Sequence, residues 1–306
     1  MQVFYTDIFE LPLPPEHRFP MAKYRLLRER LLADGAVHPH QLSVPPAATN
    51  EQLLRVHTAE YLTNVVGGTL DRASVRRLGF PWSPELVERS RRSTGATLAA
   101  CRAALGERVG VNLAGGTHHA HAGRGGGYCV FNDVAVAVRV LQAEQLIERA
   151  VVVDCDVHQG DGTAAIFAAD PTVRTLSVHG ERNYPFRKQA SDIDIALPDG
   201  TADAVYLDAV RDGLDRLLTG PPPDLAAYVA GADPHRRDRL GRLSVTKDGL
   251  RRRDRLVLES LTRCGVPVAI VMAGGYGTVE DIVDIHATTV TTAGDYHGAA
   301  DGGRAR

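Results

Sequence analysis

Directly after the apolar triplet Val151-Val152-Val153 the chain reads Asp154-Cys155-Asp156-Val157-His158-Gln159-Gly160-Asp161. An extended backbone turns alternate side chains to one side, so Asp154, Asp156 and His158 share a face at intervals of about 6.6–6.8 Å. Burying unneutralised charge at the end of an apolar strand is strongly destabilising. Any fold that buries the three valines must therefore supply this run with a cation, a paired base or dense hydrogen bonding. Capping of the next helix would account for one aspartate, but not for the whole run.

The rest of the chain suggests what surrounds that run. Apolar stretches at 3–5, 109–113, 151–153, 173–178, 225–229 and 266–272 read as strands. Stretches of helical period lie between them at 21–34, 51–66, 84–105, 133–148, 202–218 and 247–264, with Gly35 as a stop and Asn132 and Thr246 as caps. Thr278 opens a last helix that Asp281 can cap back. Such alternation, with strands apolar throughout, predicts an α/β fold whose parallel sheet is covered on both faces. Neither a repeat nor a linker interrupts it, so residues 1–306 read as one domain, with a Gly- and Ala-rich tail expected to fray from about Asp295.

Bulk properties narrow the functional classes. A net charge of −2 over 306 residues gives no basic excess for nucleic acid, and Arg251-Arg252-Arg253 reads as a solvated helix face. Cys101, Cys129, Cys155 and Cys264 form no CxxC pair, as suits buried thiols in a reducing compartment. With no signal-like start and no apolar run near 18 residues, the expected location is the cytoplasm, away from membranes. The glycine-dense loop 123–127 lacks the GK[ST] ending of a phosphate loop. His57 reads as a packed or capping histidine.

Four of these strands run into polar or glycine-rich motifs: His118-His119, the Asp154–Asp161 run, Asp233 and Gly274-Gly275-Tyr276. In open α/β sheets ligands sit beyond the carboxyl ends of the strands, so all four should converge. A hydrolytic zinc site needs about three protein ligands, which Asp156, His158 and Asp233 can provide. Two carboxylates leave the site formally neutral and the metal's water only modestly acidified, so a general base becomes useful. His118 and His119 are candidates, with Asp154 and Asp161 to orient them. Tyr276 could donate its hydroxyl to an oxyanion.

At these residues the chain resembles the zinc-dependent histone deacetylases, a family that includes bacterial acetylpolyamine amidohydrolases and acetoin-utilisation proteins. The similarity spans about residues 1–293 and implies an arginase/deacetylase fold, a mostly parallel sheet of about eight strands between helical layers. It implies that Asp156, His158 and Asp233 bind one Zn2+, that His119 is the general base and acid, and that His118, paired with Asp154, tunes it. Tyr276 would polarise the amide carbonyl. Asp154, Asp156, His158, Ser177 and Val178 would form a potassium site, and Gly127, Tyr128, Tyr184 and Gly275 would line an acyl-lysine channel. Gln159, where His-His-Gly-Asp is usual, makes the chain look most like the class IV branch and its bacterial relatives.

The activity so implied is hydrolysis of an N6-acyl-lysine, in a peptide or protein, or of a similar acylated amine. The 81–84 loop lacks the acidic rim residue that grips substrate backbone in many members. Arg187, Lys188, Arg236 and Arg237, near the mouth, disfavour a polyamine. A binuclear manganese amidinohydrolase and a non-catalytic binding protein of the same fold are the competing readings. Oligomeric state is open.

Overall fold

The computed structural model describes the backbone of residues 1–301 and side chains through His297. In order, the elements are β1 (Gln2–Phe4), α1 (Ala22–Ala33), β2 (Leu42–Ser43), α2 (Asn50–Leu53), α3 (Ala59–Gly67), α4 (Arg72–Leu78), α5 (Pro84–Glu107), β3 (Val109–Asn112) and α6 (Asp133–Ala143). Then follow β4 (Ala150–Asp154), α7 (Asp161–Phe167), β5 (Val173–Gly180), β6 (Ile193–Leu197), α8 (Asp203–Leu217), β7 (Leu225–Val229), α9 (Lys247–Arg263), β8 (Val268–Val271) and α10 (Val279–Asp301). The strands form one eight-stranded sheet in the order β2-β1-β3-β8-β7-β4-β5-β6, every pairing parallel.

Strand β4 shows why the sheet must be covered twice. All five of its residues are buried. Val151 and Val153 join one apolar cluster with Leu27, Val210, Leu258 and Val290 of α1, α8, α9 and α10. Ala150 and Val152 join the other, with Leu98 of α5 and Val138 of α6. A strand buried on both faces has to be apolar at every position, which is the pattern that marked it in the sequence.

Several boundaries differ from expectation for identifiable reasons. The stretch 51–66 is two helices: His57 is pulled out of register to bond neighbouring loops, and Thr58 begins α3 afresh, its hydroxyl accepting from the Tyr61 amide at 3.2 Å. Helix α6 stops at Ala143, five residues short of the expected end, and Gln145 turns to a φ of 59°. The six strands legible in the sequence are joined by β2, two residues long, and by β6, which is exposed at Asp194 and Ala196. Helix α10 continues past Asp295 to Asp301 instead of fraying there, and residues 302–306 lie outside the described ones. Arg253 is fully buried, a correction to the solvated face expected of its tripeptide; the helical turn brings this one arginine inward while Arg251 and Arg252 stay exposed.

Candidate active site

Strands β4, β7 and β8 are neighbours, and their carboxyl ends bring together residues far apart in sequence. Asp156 and His158 follow β4, Asp233 follows β7, and one ligand atom from each lies within 4.8 Å of the others, all three residues buried. His158 Nδ1 stands 3.0 Å from Asp156 Oδ1 and 3.1 Å from Asp233 Oδ2. The remaining carboxylate oxygens are held by backbone: Gly274 N–H donates to Asp156 Oδ2 at 2.8 Å, and Val157 N–H to Asp233 Oδ1 at 2.9 Å. Two carboxylates and one imidazole, oriented and dry, suit a divalent cation, whose charge they would balance. Gly274 keeps the space open, since a β-carbon there would come 2.0 Å from Asp233 Oδ2 and 2.5 Å from Asp156 Oδ2.

The paired histidines follow β3 and face this trio. His118 Nδ1 meets Asp154 Oδ2 at 2.6 Å, and His119 Nδ1 meets Asp161 Oδ1 at 2.7 Å. Burial opposes charge on both, but the outcomes diverge. Asp154 and Asp156 overcome burial at His118 and raise it to about 9, whereas burial and the adjacent His118 push His119 down to about 4. The aspartates thus favour a proton on His118, and burial favours the neutral imidazole at His119. The Tyr276 hydroxyl, raised well above its ordinary value by burial and by Asp156 and Asp233, keeps its proton and can donate a hydrogen bond.

A pocket opens onto these groups, lined among others by Phe19, His119, Tyr128, His158, Gly274 and Tyr276. The Tyr276 ring centroid is 6.2 Å from that of His158 and 5.8 Å from that of Tyr128. Tyr184 stands edge-on to His119 at 4.8 Å. Gly127, at a φ of 54°, lets the loop pass His119: a β-carbon would fall 2.6 Å from the ring. Gly275, expected in the channel, sits behind the lining, its α-carbon side toward Ala232 and Ile282 and its carbonyl toward Lys23. Ser177 is in register with Asp154 across β4 and β5, its hydroxyl 3.0 Å from His179 Nδ1, and Val178 is buried next to it.

Residues 17–293 match the histone deacetylase domain family. The chain belongs to the histone deacetylase family. It is 45% identical over 296 residues, 96% of this chain and 99% of the other, to an uncharacterized protein of Picosynechococcus sp.. It is 28% identical to histone deacetylase 2 of Arabidopsis thaliana, over 88% of this chain and 72% of that one. The acetoin utilization protein AcuC of Staphylococcus aureus is 27% identical, over 81% and 69%. Among solved structures, a histone deacetylase homolog complexed with SAHA superposes with a TM-score of 0.83 at 24% identity, covering 97% of this chain and 83% of that one. A homolog from Aquifex aeolicus gives 0.82 at 23%, over 97% and 84%. These two likenesses concern the fold, and they agree with the arginase/deacetylase fold that the sequence resemblance implies.

Sequence reasoning missed two participants, His121 and Lys23. His121 Nε2 lies 2.9 Å from Asp161 Oδ2, so one carboxylate serves His119 and His121 together. Lys23, buried in α1, reaches the carbonyls of Ala273 and Gly275 at 3.4 Å and lies 5.6 Å from the Tyr276 ring centroid. His57, read as a packing residue, lies 3.1 Å from the His121 carbonyl through Nδ1 and accepts from the Asn132 amide through Nε2, bracing the loop that carries the histidine pair. Gln159 bonds Gln189 and Asp194, tying the metal strand to the segment that leads into β6.

Proposed function

We propose that this protein is a metal-dependent hydrolase that cleaves the amide of an N6-acyl-lysine or a similar acylated amine. The observation that carries it is the meeting, in one narrow pocket, of a buried Asp156-His158-Asp233 donor set with a neutral, carboxylate-oriented imidazole and a protonated tyrosine. Asp156, His158 and Asp233 would hold Zn2+, which when bound supplies Lewis-acid polarisation of the carbonyl and acidifies water.

His119 removes a proton from the attacking water through Nε2, because Nδ1 is committed to Asp161. The charge it then carries is stabilised by Asp161. Protonated His118 favours neutral His119 beforehand and a negative oxyanion afterwards. Tyr276 donates its hydroxyl to that oxyanion. On collapse His119 returns the proton to the departing amine, so the leaving group exits neutral and the base is reset. Tyr128 and Tyr184 would flank an extended methylene chain. Ser177 and Val178, with Asp154, would hold K+ beneath the metal strand.

The test is a panel of acetyl- and longer-acyl-lysine peptides and acetylated polyamines, assayed with and without a chelator. Chelator-sensitive release of free amine, restored by Zn2+, is expected for the lysine series. Metal-saturated protein that leaves every acylated amine intact would remove the proposal, and turnover confined to polyamines would move it to a small-molecule amidohydrolase.

A further inference from the structure

The chain carries 35 Lys and Arg against 37 Asp and Glu, yet this near balance hides a strong asymmetry. Residues 15–20, 71–79, 121–128, 181–189 and 235–242 contain twelve Lys and Arg and four Asp and Glu, leaving 23 basic against 33 acidic residues elsewhere. All five segments adjoin the pocket. Gly127 and Tyr128 donate their amides to the carbonyls of Arg77 and Leu78. Arg124 Nη2 is 3.0 Å from His121 Nε2. Lys188 Nζ donates to the carbonyls of Asn183 and Pro185, behind Tyr184, and Arg239 Nε donates to the Tyr276 carbonyl at 2.5 Å. The first of the segments contributes Phe19 to the lining.

Arg182, Arg237 and Arg242 pair with Asp199 or Asp281, and the other cations are available to a ligand. Arg77, Arg124 and Arg239 are exposed and form no ion pair among the described residues; their recorded side-chain partners are Ser74, His121 and a backbone carbonyl. Of the four acids, Asp71 accepts from the Ser74 amide, and Asp238 from those of Tyr276, Leu240 and Gly241. Beside the collar, Phe186 is 88% exposed, 6.3 Å from the Tyr184 ring.

We propose that the protein selects acyl-lysines set in acidic stretches of polypeptide, gripped across the mouth by this basic collar. The inference rests on the deacylase proposal for the pocket itself. A small acylated amino acid has one carboxylate and would need one cation, whereas charges spread over five segments match a chain crossing the opening, with Phe186 as an apolar ledge for a flanking side chain. The acidic remainder of the surface opposes a phosphate polymer.

Three acetyl-lysine peptides, identical except for flanking Asp/Glu, Ser/Gly or Lys/Arg, are to be compared by kcat and KM and, independently of turnover, by fluorescence anisotropy. The expected order is acidic, neutral, basic, with at least about a tenfold spread at roughly 20 mM salt, mostly in KM, narrowing to under about threefold at 0.5 M. R77E/R124E, which leaves ten basic against six acidic residues in the five segments, should narrow the spread; should that variant fail to fold, the salt dependence of the wild type carries the same test. Equal affinities, a preference for basic flanks, tighter binding of free acetyl-lysine than of any peptide, or equally tight binding of duplex DNA would overturn the collar. Binding ranked by flank charge with no peptide hydrolysed would uphold the collar and refute the deacylase proposal instead.

Discussion

The guanidinium of Arg253 donates to the carbonyl oxygen of Gly231 at 2.6 Å. Gly231 lies two residues before Asp233, so a side chain of α9 fixes the backbone that aims the Asp233 carboxylate of the candidate metal site. Arg253 also pairs with Asp254, which in turn accepts from the hydroxyls of Tyr228 and Thr289. Arg253→Ala strands a buried aspartate and should cost about 3–5 kcal/mol. Arg253→Lys keeps the charge but not the fork, so a loss of about 1–3 kcal/mol in urea unfolding is expected, together with weaker Zn2+ binding in a dye competition. Wild-type metal affinity in the lysine variant would show that Asp233 is aimed by something else.

Tyr276→Phe removes the hydroxyl while leaving a ring that packs near Phe19 and Tyr128. Its kcat should fall at least about tenfold, toward the 10²–10³ typical of a lost oxyanion donor, with an unchanged circular dichroism spectrum. Unimpaired turnover would exclude the hydroxyl from the reaction.

Metal loading should depend steeply on pH. Burial opposes the cation at His158, yet Asp156 and Asp233 hold its proton up to about 10; burial and Asp156 raise Asp233 to about 7. Both raised groups retain protons that the metal must displace, so affinity should climb as pH rises through the neutral range, with proton release on binding. Calorimetry in buffers of different ionisation enthalpy counts those protons; zero at pH 7 would contradict the assignment.

His121 competes with His119 for Asp161. In His121→Ala the carboxylate is left to His119, its charged form gains, and its depressed pKa should rise. The acid limb of kcat/KM is then expected to shift to higher pH by about half a unit or more, with under tenfold loss at the optimum. A limb that stays in place would mean that the shared carboxylate does not tune the base.

Burial lowers both His57 and His179 from 6.5 to about 4. Each is neutral in the folded protein and more readily protonated unfolded, so the stability it contributes is complete above about pH 6.5 and is lost as pH falls toward 4. The slope is about 1.4 kcal/mol per pH unit for each group. Urea midpoints at pH 7, 6 and 5 should decline accordingly, and a level series would refute this.

How much was legible depended on how local the cause was. Asp156 and His158 were expected to share one face of a strand, but β4 ends at Asp154 and both lie in the bend beyond it, where Asp156 Oδ1 accepts from the His158 amide at 2.9 Å and stands 3.0 Å from its Nδ1. Asn132 and Thr246 were readable as caps, and they do accept from the amides of Ala135 and Gly249. β2 escaped because two residues show no period, and 51–66 appeared continuous because the demand on His57 comes from Asn132, 75 residues away.

By itself, then, the sequence determined the alternation of strand and helix and the caps, all set by backbone periods and near-neighbour chemistry. Only the tertiary structure decided which of three consecutive arginines is buried, that His121 shares Asp161, that Lys23 lies beneath Ala273 and Gly275, and that basic residues dispersed over five segments surround one opening. Such contacts depend on strand order and helix rotation, which arise from packing the whole chain and leave no periodic trace in any one stretch of it.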